Sequence, residues 1–186
     1  MVPFLSLLLP IVLAAVLVFV ASSIIHMMLG YHRNDVRPIP DEDGVLEALQ
    51  RFTIPPGDYM APRAASMAAM KDPAFVAKLN RGPVFMATFL KPGPFNMGSS
   101  LVWWFVYCVV VGGFAASVAG CVLGPGAEYL KVFRVTGTVA FAGYSLALWQ
   151  ANIWSGKSLG TTLRHTFDGV VYALLSAGTF GWLWPN

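Results

Sequence analysis

The chain has 186 residues, 56% of them hydrophobic and 11% charged, with a mean hydropathy of +0.64 and a formal net charge of +3. A soluble domain carries about 25% charged residues, so this composition argues against one. Its basic residues are interleaved with acidic ones, which argues against a nucleic-acid surface.

The charge is unevenly placed. Eight of the twelve basic and seven of the nine acidic residues fall between Tyr31 and Gly98. The sequence therefore divides into a first apolar span over residues 1–30, a polar insert over 31–98 and a second apolar block over 99–186.

Residues 4–29 are apolar almost without interruption, and no Lys or Arg precedes Arg33. A secretory signal has a basic start and an apolar stretch of about 7–15 residues, so a retained transmembrane span is expected instead. Pro10 is expected to kink this span or mark a change of helix type. His26 lies near its end, and Tyr31, His32 and Arg33 mark the water interface.

In the insert, Asp41, Glu42 and Asp43 precede Val45, Leu46, Leu49 and Phe52, a spacing that predicts a short amphipathic helix with acids at its start. Residues 54–62, rich in Pro and Gly, are expected to be irregular. Asp72-Pro73 pairs an N-cap with a proline at the first helical position and predicts a helix to about Gly82. Residues 84–90 fit a strand or a segment lying on a bilayer. Met60, Met67, Met70, Met86 and Met97 have no regular spacing and no accompanying His or Cys, so packing rather than metal binding is expected of them.

Three apolar runs follow, over residues 101–123, 130–153 and 167–184. About 20 residues of helix cross the ~30 Å hydrocarbon core of a bilayer. The expected fold is thus all-α and membrane-integral: a four-helix transmembrane bundle with a small mixed insert between spans 1 and 2. Gly112, Ala116 and Gly120 on the second span, Gly143 and Ala147 on the third, and Gly169, Ala173, Ala177 and Gly181 on the fourth recur at four-residue spacing. Such stripes let helix backbones approach closely where lipid supplies no hydrophobic drive. Cys108 and Cys121 share one helix, too far apart to bridge, and are read as small apolar residues.

Trp103, Trp104, Trp149 and Trp154 fall on the insert's side of the spans, and Tyr129, Trp182 and Trp184 on the other, as interfacial belts do. Counting basic residues near span ends gives Arg33, Arg37, Lys91, Lys157 and Arg164 against Lys131 and Arg134. That asymmetry places the insert in the cytoplasm and both chain ends outside.

One constellation resembles a site. Gln150 ends the third span, Arg164, His165 and Asp168 begin the fourth, and His26 lies on the same side. His165 and Asp168, three apart, share a helix face. They suit a helix-start cap with an interhelical polar clamp, a proton relay, or an imidazole oriented by a carboxylate toward a metal, haem or chlorin. No dinucleotide, metalloprotease, zinc-cysteine or serine-elbow motif is present, and no dedicated metal motif is read.

The segments Ala21-Ser22-Ser23-Ile24-Ile25-His26-Met27, Arg81-Gly82-Pro83, Asn96-Met97-Gly98, Val132-Phe133-Arg134-Val135-Thr136-Gly137-Thr138 and Thr179-Phe180-Gly181-Trp182-Leu183-Trp184-Pro185 carry a likeness over nearly the full length. By them the chain resembles a family of small bacterial inner-membrane proteins with four predicted spans. The resemblance implies a bacterial cytoplasmic membrane and brings no activity with it.

The leading expectation is a non-catalytic membrane protein, a scaffold or accessory subunit of a larger, energy-transducing complex. Its partners would be the lipid bilayer and other membrane subunits, with no nucleic acid. Two alternatives stand beside it: a small transporter or channel, and a haem- or pigment-binding subunit using His26 or His165. No cofactor is evident from sequence.

Overall fold

The computed structural model describes all 186 residues. It is mostly helical and divides into two compact units, residues 37–95 and the remainder, residues 1–36 with 96–186. Residues 31–36 pack with the helical unit, so the insert as a compact body begins at Arg37 rather than Tyr31.

In the helical unit a 3-10 turn, Phe4–Leu7, leads into α1, Leu8–Met28. Pro10 sits in the first turn of α1, where its missing N–H has no carbonyl to lose. The insert holds α2 (Glu42–Gln50), β1 (Gly57–Ala61), α3 (Pro73–Arg81) and β2 (Phe85–Phe89). The chain re-enters the helical unit with α4 (Met97–Val122), α5 (Tyr129–Phe141), α6 (Leu148–Ser155) and α7 (Leu159–Trp182).

Within the insert, β1 pairs antiparallel with β2, Gly57 opposite Phe89 and Ala61 opposite Phe85. β1 falls in the stretch expected to be irregular. Its partner stabilises it: Tyr59 meets Phe89 edge-on at 5.5 Å, and the Thr88 hydroxyl donates to Asp58 at 2.6 Å. Such cross-strand terms are invisible to a local reading. The helix after Asp72 forms as expected, with the Asp72 carboxylate accepting from the Ala74 N–H at 2.7 Å.

Two helices, Phe4–Met28 and Met97–Val122, are long and apolar enough to cross a membrane. The expected third span is broken. A π-helical turn, Ala142–Leu146, separates α5 from α6, and the Tyr107 hydroxyl donates to the Gly143 carbonyl there at 2.5 Å. The fourth helix begins at Leu159, eight residues before the apolar run. Ser158 caps it by accepting from the Thr161 N–H, so its first turns are polar.

α1 packs against α4 and α7, and α5 packs against α4 and α7. The small residues do what their spacing predicts at most positions. A Cβ on Gly112 would meet Ile11, one on Gly120 the Val2 carbonyl, one on Gly143 the Val111 side chain, and one on Gly181 the Tyr129 ring. Ala116, Ala173 and Ala177 are buried, and the Cβ of Ala177 lies 3.0 Å from where a Cβ on Gly137 would stand. Ala147 is the exception, being exposed. It stands just past the π turn, where α6 begins. Cys108 is buried and Cys121 exposed; both are free.

Two buried clusters fill the interior. One joins Leu7, Ile11, Ala116, Val132, Phe180 and Trp184 near the chain termini. The other joins Val18, Ile25, Cys108, Val111, Tyr144 and Tyr172 toward the opposite end. At the first end the Val2 N–H reaches the Gly120 carbonyl, and the Gly126 N–H reaches the Pro185 carbonyl. Both chain ends therefore lie beside the α4–α5 connection.

Candidate functional site

At the end of α1 the chain turns at Gly30 and folds back as Tyr31–Asp35, a segment that docks onto the first turns of α7. Three imidazoles gather there. The ring centres of His26 and His32 are 4.4 Å apart, those of His32 and His165 4.8 Å, and those of His26 and His165 5.9 Å. Two carboxylates join them. Asp168 is almost fully buried and Asp35 retains 10% side-chain exposure.

The polar contacts have a direction. The His32 Nδ1 lies 2.6 Å from Asp35 Oδ2, while its Nε2 lies 2.9 Å from Asp168 Oδ2. Asp35 Oδ1 accepts from Arg164, with Nε at 2.7 Å, and from the Thr161 hydroxyl at 3.3 Å. Asp168 Oδ1 accepts from the Tyr31 hydroxyl. His165 stands between the carboxylates, Nε2 3.4 Å from Asp35 Oδ2 and Nδ1 3.8 Å from Asp168 Oδ2. The geometry ties the segment after α1 to α7 through side chains alone.

Burial drives the Asp35 carboxyl upward, but hydrogen bonds from His32 and Arg164, with the Arg164 charge, outweigh it and hold its pKa below the usual aspartate range. Asp35 is thus a carboxylate. Burial, and then the bond to Asp168, raise the Tyr31 phenol above its ordinary value. Tyr31 stays protonated and donates.

Of the residues expected to form the site, His26, Arg164, His165 and Asp168 come together. Gln150 does not: it is exposed on α6 and its side chain makes no hydrogen bond. His165 and Asp168 share a helix face as expected, yet at 3.8 Å they do not bond directly. The sequence marks Tyr31 and His32 only as interfacial and gives Asp35 no role, whereas the structure draws all three into the cluster. A signal was available: His32 and Asp35 are three apart, the spacing at which an acid can orient an imidazole, in a segment that directly follows an apolar helix.

His26, His32, His165 and Asp168 each offer one donor atom, and all four atoms lie within 4.8 Å of one another. This set has the size of a single-ion site. A bis-histidine macrocycle needs an open slot between its two rings, and here a third ring is packed against both.

Below the cluster the interior continues as an aromatic layer. Tyr144 packs edge-on against Tyr172 at 5.5 Å, and Trp104 lies 5.9 Å from Tyr172. The Trp104 indole N–H donates to Ser22 at 2.8 Å, binding α4 to α1. Comparison with known protein families, curated proteins and solved structures finds no match for this chain.

Proposed function

We propose that the chain is a four-pass integral membrane protein of a bacterial cytoplasmic membrane, serving as a non-catalytic scaffold or accessory subunit of a larger membrane complex. One observation carries the reading. The apolar side chains of the helical unit lie largely on its outside. On α1, Val12, Val16, Val20 and Ile24 are exposed; on α4, Val102, Val106, Val110, Phe114 and Val118; on α7, Leu163, Phe167, Val170 and Leu174. Each set repeats at three to four residues, one helix face. A soluble protein rarely exposes contiguous apolar patches beyond a few hundred Å², whereas lipid tails cover such a surface at no cost.

The interior supports the same reading. It is filled by Gly, Ala and Ser where helices cross, as in membrane bundles. The ionisable groups of the interior gather at one end of the bundle, and the hydroxyls buried beyond them, Thr136, Ser176 and Thr179, donate to carbonyls of their own helices. That distribution favours a packed subunit over a transport path, which needs polar groups at membrane depth. Membership of the bacterial inner-membrane family belongs to this proposal.

Purification in mild detergent tests it. The protein is expected in the membrane fraction, resistant to carbonate extraction, and to co-purify with a reproducible set of membrane proteins. A stable, solitary monomer would count against the subunit role, and solubility in plain buffer would end the membrane reading.

A further inference from the structure

We infer that His26, His32, His165 and Asp168 form a binding site for one divalent first-row transition-metal ion, of the zinc and ferrous-iron class, with Asp35 as the carboxylate that orients His32. The site stands on geometry that neither the subunit role nor the membrane reading requires.

The argument begins at His32. Its Nδ1 faces the Asp35 carboxylate at 2.6 Å, so Nδ1 carries the proton. In the neutral ring, Nε2 is then a lone pair. That lone pair stands 2.9 Å from Asp168 Oδ2, another acceptor. Both atoms are buried, and neither has a hydrogen-bond partner of acceptable geometry. Two buried acceptors in van der Waals contact repel unless a cation lies between them. Ligands of one tetrahedral ion with bonds near 2.0 Å stand roughly 3.3 Å apart, close to this separation. A proton shared between the two atoms would need them aligned, and they are not.

The surroundings are those of a metal centre. Asp35 on the distal nitrogen of His32 makes a carboxylate–histidine arrangement that fixes ring orientation and tautomer and raises ligand basicity. Arg164 holds Asp35 in turn, and the Tyr31 hydroxyl occupies Asp168 Oδ1, leaving Oδ2 for the ion. Two carboxyl groups and one guanidinium face the imidazoles. His26 is exposed and His165 is 38% exposed, so the ion has a way in. Three imidazoles and one carboxylate suit late first-row ions and not calcium or magnesium, which take oxygen ligands. The donors come from α1, the segment after it and α7, so the ion would staple the first helix to the last.

Cobalt(II) is the probe, because its visible d–d bands report tetrahedral nitrogen and oxygen coordination. The full chain, purified in detergent and stripped with a chelator, is titrated with Co2+ and then with Zn2+. One equivalent is expected to bind, with visible bands that Zn2+ abolishes and a rise in the thermal transition of several degrees. Asp168→Asn and His32→Ala are expected to weaken binding at least 100-fold, and Asp35→Asn roughly 10- to 100-fold. Should the buried changes impair folding, His26→Ala, at an exposed position, is expected to fold normally and lose at least 10-fold. Glu128→Gln, at an exposed position on the α4–α5 connection, is the control and should change nothing. Folded wild-type protein that shows no saturable Co2+ or Zn2+ binding overturns the inference. So does binding that is undiminished in the folded His26→Ala and Asp168→Asn proteins.

Discussion

Asp168 shows how much one buried carboxylate demands of its neighbours. Tyr31 satisfies one oxygen by hydrogen bond, and the other faces His32 and His165. Removing the phenol leaves Oδ1 buried without a donor. Tyr31→Phe is therefore expected to cost about 1.5–3 kcal/mol, read as a lowered unfolding midpoint in detergent. Within the insert, the Asp72 carboxylate caps the first turn of α3, and Asp72→Ala is expected to cost about 1 kcal/mol in the stability of the insert. Circular dichroism of the melting insert would show it. The two carboxylates differ in legibility. Asp72 announces itself beside Pro73, because a cap is local in sequence. Asp168 could be placed at a helix start, but its partner Tyr31 is 137 residues away, and nothing in the chain's local pattern links them.

Among the elements, the small-residue stripes were readable because a four-residue period maps directly onto a helix face. A Cβ on Gly169 or Gly181 would overlap Ser145 or Tyr129, and one on Gly112 or Gly120 would stand tight against Ile11 or the Val2 carbonyl. Ala147, which the same period puts on a packed face, is exposed just after the π turn Ala142–Leu146. The contrast is testable. Gly169→Ala drives a Cβ into the Ser145 side chain and is expected to cost about 1–3 kcal/mol. Ala147→Leu, on an exposed face, is expected to change stability by less than about 0.5 kcal/mol. Equal losses in detergent unfolding would mean that the packed face is assigned wrongly. The polar start of α7 was legible from Arg164 onward, but not its first turn, because Ser158 caps the helix two turns before the apolar run begins.

For the whole molecule, the decisive property is the placement of apolar surface. Its outer faces carry Val, Leu and Phe, while Gly, Ala and Ser mediate its helix contacts. Hydropathy alone delivers two spans, Phe4–Met28 and Met97–Val122. The other two proposed crossings are diluted, one by the break at Ala142–Leu146 and one by the polar turns that build the histidine cluster. Composition thus points to the proposed environment, and periodicity locates most of the helix contacts. The site depended on a chain reversal at Gly30 that brings Tyr31, His32 and Asp35 onto α7. The back-and-forth path of the helices places both chain ends with the α4–α5 connection and the turn at Gly156 at the other end.

The most direct measurement is therefore cysteine accessibility in sealed membrane vesicles, with Cys108 and Cys121 replaced by Ser. Single cysteines are then placed at Asn186, at Ala127 on the α4–α5 connection, and at Lys157 beside the turn into α7. A membrane-impermeant thiol reagent is expected to label the cysteines at 186 and 127 from one face and the cysteine at 157 only from the opposite face. Labelling of all three from the same face would contradict a bundle that crosses the bilayer four times.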